Sequence, residues 1–124
     1  DTFRATAPVV LRTCFAPLAE AMGPDGLTVE LVVTGDVLAA LETEFRDVYD
    51  AFRGSDAATL LRYRGSMPYS LFVAETDQGV HGGLTVYSDT GVHGNVVNDT
   101  DRMVAWVRDR YASYRDAADP ASGA

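Results

Sequence analysis

The chain has 124 residues, 47% of them apolar, enough for one compact domain around a single core. No apolar run approaches the roughly 20 residues of a membrane helix. A net charge of −8, with ten Arg interleaved among the acids, argues against phosphate contacts by this segment, which need clustered cations.

Phe3 to Ala7 reads as a short strand, and Pro8 stands at a permissible first helical position. Val9 to Met22 follows as a helix that Pro17 kinks or interrupts. Cys14 falls within it as a small buried hydrophobe; as the single cysteine it excludes an internal disulfide and a cysteine zinc cluster. Gly23-Pro24-Asp25-Gly26 is a turn, and Leu27 to Val33 a buried strand. Two strands joined by a helix predict a right-handed βαβ unit with parallel pairing. Thr34-Gly35-Asp36 caps a helix from about Val37 to Arg53, with Leu38, Leu41, Phe45, Val48 and Phe52 on its apolar face. Gly54 ends it, Thr59 to Arg64 is a strand, and Gly65-Ser66-Met67-Pro68 is a turn.

Tyr69 to Thr76, Val80 to Tyr87 and Val92 to Val97 form three further strands, separated by Asp77-Gln78-Gly79 and Asp89-Thr90-Gly91. Read as three-residue loops ending in Gly, these set residue 76 opposite 80 and 88 opposite 92. That register puts Phe72, Ala74, Leu84, Val86, Val92 and Val96 on one face. Tyr69, Glu75, His81, Thr85, Tyr87, His93 and Asn95 fall on the other, with Leu71 and Val73. A helix from about Thr100 to Ala117, capped by Asn98 or Asp99, completes a domain of residues 1–118; 119–124 are expected to form a disordered tail. The expected fold is α/β: a single mixed sheet of about six strands, built as βαβα, then a four-strand meander and a C-terminal helix.

The segments Arg4-Ala5-Thr6-Ala7-Pro8, Glu30-Leu31-Val32-Val33-Thr34, Met67-Pro68-Tyr69-Ser70-Leu71 and Val104-Ala105-Trp106-Val107, with Tyr111 and Tyr114, carry a family resemblance. The chain resembles, from about Phe3 to Ala118, the methanogenesis regulatory protein middle-domain family. These domains follow a winged helix-turn-helix in haloarchaeal and methanogen regulators. The resemblance implies a cytoplasmic, effector-sensing or dimerising domain, with DNA contacted by a winged helix upstream. The lack of an initiator Met and the early first strand fit a piece of a longer protein. Composition agrees: there is no Lys and no Ile, and thirteen of the eighteen acids are Asp. Such a surface resembles that of extreme halophiles, where concentrated salt screens self-repulsion; the alternative is an acidic protein of a GC-rich genome.

The strand order also resembles half of a phospholipase D-like fold, whose active members carry His-x-Lys, four residues, then Asp. With Asp77 in the Asp position, Ser70 and Phe72 occupy those of His and Lys. Neither supplies an imidazole nucleophile or a cation for the phosphate, and a chain without Lys cannot restore the motif. The resemblance therefore implies a degenerate, non-enzymatic copy that needs no cofactor.

Candidate site residues are few. Tyr69, Tyr87 and His93 make a cross-strand row that is either packed sheet surface or a ligand wall. Arg62 and Arg64 share a strand face and suit an anionic effector, or surface pairing with Asp. Asp36 follows the second strand at its carboxyl end, where open α/β sheets bind ligands, and also suits a helix cap. His81 faces Glu75 in the assumed register and lies roughly 20 Å from His93 at about 3.4 Å per residue, so no metal is expected between them. Ser70, Phe72, Leu84 and Val86 form the apolar face assigned to a homodimer contact. An unidentified small-molecule effector is the expected ligand. The competing readings are a pure dimerisation module and a divergent phospholipase D-like hydrolase.

Overall fold

Ala5 to Ala7 and Leu31 to Val33 are each buried without a break, so both faces of the sheet are covered at these neighbouring strands. The computed structural model describes residues 1–8, 20–22, 26–65, 67, 69–88, 91–98 and 100–120. Strand β1 (Thr2–Ala7) pairs in parallel with β2 (Thr28–Thr34). Their odd positions, Ala5, Ala7, Val29, Leu31 and Val33, are buried beneath helices α1 (Gly35–Thr43) and α2 (Arg46–Arg53). Even positions look the other way: Val32 packs with Tyr111 of helix α3 (Asp101–Asp116). The predicted helix over Val9–Met22, with Cys14 and Pro17, lies almost wholly outside the described residues.

The remaining strands are β3 (Ala58–Tyr63), β4 (Tyr69–Thr76), β5 (Gly79–Ser88), β6 (Gly91–Asn98) and the two-residue β7 (Asp119–Pro120). They form one mixed seven-stranded sheet in the order β6-β5-β4-β1-β2-β3-β7. The α/β class and single mixed sheet agree with the sequence reading, but the four-strand meander does not. β3 pairs in parallel with β2 and makes no ladder with β4, which crosses the sheet to lie antiparallel to β1. β3 and β4 are thus separated in the sheet by β2 and β1 instead of forming a hairpin, and only β4-β5-β6 is a meander. Asp119 and Pro120, read as the start of a tail, pair with β3 at Arg62 and Leu61.

The helix expected over Val37–Arg53 is two helices. Both Glu44 N and Phe45 N donate to Ala40 O, at 2.8 and 3.3 Å, so the last turn of α1 widens and stops. Phe45 then keeps its place against the core while α2 sets off anew. Tyr49 Oη donates to Glu42 Oε1 at 3.2 Å across the break.

The register of β4 against β5 is one residue away from that assumed. Thr76 pairs with Gly79, so the turn has two residues, Asp77 and Gln78. Thr76 Oγ1 accepts from Gln78 N at 3.1 Å, and Gly79 adopts φ +126°, a conformation suited to Gly. Odd positions of β4 therefore pair with even positions of β5: Tyr69 with Val86, Leu71 with Leu84, Val73 with Gly82. Leu71 and Val73 are buried with Val107 beneath α3. Between β5 and β6 the even-to-even pairing expected from sequence holds from Gly82 to Val86, but Ser88 pairs with Gly91. A bulge between Val86 and Tyr87 absorbs the difference.

Candidate functional site

Strands β1, β2 and β3 run in parallel and end at one edge of the sheet, at Ala7, Thr34 and Tyr63. A cleft of about 430 Å³ opens at this edge, lined by Pro8, Thr34, Gly35, Asp36, Arg64 and Gly65. Thr34 builds its floor: still extended at φ −76°, ψ 164°, it accepts from Val37 N at 3.4 Å through Oγ1 and starts α1. The cap is thus Thr34, which leaves Asp36 in the first turn with its carboxylate exposed. Arg64 reaches the cleft from the end of β3, and its Nε donates to Asp119 Oδ2 at 2.8 Å. That pair is solvent-exposed and weak. A Cβ on Gly35 would meet nothing within 4 Å, so the floor is open.

Aromatic rings adjoin this cleft through Gly65. The Tyr63 ring lies across Gly65 so closely that a Cβ there would fall 2.8 Å from it. Tyr63 meets Tyr114 edge to face at 5.0 Å between centroids. Tyr69 lies 6.4 Å from Trp106, whose other neighbour is the Arg110 guanidinium at 5.5 Å. Burial, then the nearby Tyr69 and Tyr63, push the Tyr114 phenol above its ordinary value. The edge therefore offers a carboxylate, a guanidinium and a hydroxyl, with tyrosine rings packed beside it, and can hold a small polar molecule by hydrogen bonds.

Of the residues singled out from sequence, Asp36 and Arg64 meet in this cleft, and Tyr69 lies in the adjoining aromatic group. Arg62 stays within β3, opposite Val33 and Asp119, and does not line the cleft. Tyr87 pairs with Val92 instead of His93, because the bulge falls there. Sequence reasoning missed Tyr63, Tyr114 and Trp106. The signal available was Tyr63 and Tyr69 on either side of the 64–68 connection.

The four residues assigned to a dimer contact divide between the two faces. Phe72 packs on the α1–α2 side: its ring stacks on Phe3 at 5.8 Å and covers Gly83. Ser70, two residues before it, shares that side, whereas Leu84 and Val86 pair with Leu71 and Tyr69 on the α3 side. The His81–Glu75 pair also dissolves. His81 stands opposite Ala74, while Glu75 faces α3 and takes Arg4 and Arg108. Among the described residues, no three of His, Cys, Asp and Glu gather as a metal site, and no helix is long and apolar enough to span a membrane.

Comparison with known proteins bears on this geometry. The model of the family described as methanogenesis regulatory protein FilR1, middle domain, matches residues 1–117. Among solved structures, that of TrmBL2, described as an archaeal chromatin protein with a novel mode of DNA binding, is similar at a TM-score of 0.62 and 12% identity. The match covers 96% of this chain and 45% of that one, so the chain spans less than half of TrmBL2's length, and at this identity the likeness concerns fold alone. Comparison with curated proteins finds no match.

Proposed function

We propose, because the chain belongs to the FilR1 middle-domain family, that it is the regulatory domain of an archaeal transcription regulator and senses a small-molecule effector without catalysis. The observation that carries this reading is the convergence of Asp36 and Arg64 in one cleft at the carboxyl ends of the parallel strands, beside a tyrosine group. Such edges are where open α/β sheets take ligands. DNA is contacted by a winged helix elsewhere in the regulator, a division that the −8 charge of this chain supports, and the regulator works in the cytoplasm with its DNA. The regulator is a homodimer, since paired winged helices read paired half-sites. Val86, exposed on the α3 side, remains available to that contact, and Phe72 and Leu84 belong to internal packing.

Kinship to a degenerate phospholipase D-like half is part of the same proposal, supported by parallel strands followed by an antiparallel meander and a helix. Catalytic silence follows from Ser70 and Phe72 in place of the nucleophile and cation.

The test is thermal unfolding of the chain in molar KCl with the small-molecule fraction of an archaeal cell extract. A fraction that raises the midpoint of the wild type, but not of Asp36→Asn combined with Arg64→Gln, supports the reading. A response equal in both proteins, or none with any fraction, contradicts sensing in this cleft.

A further inference from the structure

Arginine is concentrated a second time, on the other flank of α3. Arg4, at the centre of β1, stands between Glu30 of β2 and Val73 of β4 in the sheet register. Arg108 and Arg115 approach from α3, seven residues or about 10 Å apart along the helix. Together with Ala112 these groups line a groove of about 320 Å³. We propose that this groove is a binding site for a small oxyanion, a carboxylate or a phosphate.

Charge is the first argument. Three guanidiniums line the groove with one carboxylate, Glu30. Glu75 engages Arg4 and Arg108, and Asp116 acts on Arg115, from outside the lining. Cations thus outnumber acids in the groove itself, on a chain of net −8. The second argument is donor count. Each guanidinium has five N–H groups in a planar fork suited to carboxylate and phosphate. Glu75 engages Arg4 at 3.6 Å and also bonds Arg108, yet the two Arg side chains stay 42% and 50% exposed. Both line the groove, so donors that Glu75 does not take are accessible to a ligand there.

The third is construction. Tyr111 Oη and Arg115 Nε both donate to Glu30 Oε1, at 2.6 and 2.9 Å, and the Glu30 side chain is only 17% exposed. This partly buried carboxylate holds Arg115 through Nε, and Arg115 lines the groove. Ala112, one turn from Arg108 on the same flank, keeps the space between the arginines open. Exposed ion pairs contribute at most about 1 kcal/mol each, so stability alone is a poor account of three arginines gathered here. An oxyanion bridging Arg4 and Arg108 would share their donors with Glu75, the residue that joins β1 to α3 at this end.

The experiment is isothermal titration calorimetry of the whole chain with inorganic phosphate and, separately, with succinate, at constant ionic strength in KCl. Saturable one-to-one binding of at least one probe is expected, weakened about tenfold or more in Arg108→Gln and in Ala112→Glu. The second variant puts a carboxylate in the groove while every arginine remains, and circular dichroism checks that its helix persists. Phosphate alone assigns the site to phosphate-bearing ligands, succinate alone to carboxylates, and both to oxyanions in general. No saturable heat with either probe, or an affinity unchanged in either variant, overturns the proposal.

Discussion

Thr6 is the one buried polar side chain among the described residues, 1% exposed, and its hydroxyl accepts from Leu71 N at 2.9 Å. The β1–β4 register runs from Thr2 opposite Glu75 to Ala5 opposite Phe72, so this side chain serves the first amide beyond the ladder. Thr6→Val keeps the shape and strands that amide, and it should cost about 1–3 kcal/mol in urea unfolding, with Thr6→Ser closer to wild type. A Val variant as stable as wild type would refute the assignment. Tyr111 makes a second prediction. Burial first, then its bond to Glu30, hold its phenol above the ordinary 10.0. The folded chain thus keeps this proton more tightly than the unfolded chain does. The resulting stability is complete below about pH 10 and erodes as pH rises further. Thermal midpoints between about pH 8 and pH 11 should fall more steeply for wild type than for Tyr111→Phe. Parallel alkaline limbs would contradict this; Tyr114, shifted the same way, contributes to both proteins.

At the scale of elements, α3 lies close on the sheet because β5 presents Gly82 beneath it. A Cβ added there would meet Val107 Cγ2 at 3.4 Å and Val104 Cα at 3.5 Å, which is ordinary contact. Gly82→Ala should therefore be nearly neutral, whereas Gly82→Val should lift the helix and cost about 1–3 kcal/mol. Equal stabilities of the two variants would show that α3 packs less closely than described. Strand positions were legible because short, mostly apolar and β-branched runs bounded by turn residues survive in the sequence, as Val29 to Val33 does between Gly26 and Gly35. Pairing was not. Nothing local in Gly65 and Met67 distinguishes a hairpin turn from a crossing over β1 and β2. Register failed at Gly79, which reads as a loop residue and is in fact paired with Thr76; that single residue reverses which face Leu84 and Val86 share with β4. In the site, Asp36 was legible because it follows a strand end, and Arg64 because it alternates with Arg62 along the third strand. Tyr114 was not, since its place beside Tyr63 depends on how α3 crosses the sheet.

For the whole molecule, eighteen acids against ten Arg make self-repulsion a general term that salt screens. The thermal midpoint should rise with KCl across the molar range, and a midpoint unchanged between dilute buffer and molar KCl would count against a halophilic origin. The proposed sensing is more local, at one edge of the sheet. Amide proton–nitrogen correlation spectra of the labelled chain test it most directly, recorded while an active small-molecule fraction is added in molar KCl. Saturable shifts are expected, centred on Gly35, Asp36, Arg64 and Gly65 and extending to Tyr63 and Tyr69. Shifts confined to β5 and β6, or spectra that do not change, would contradict it.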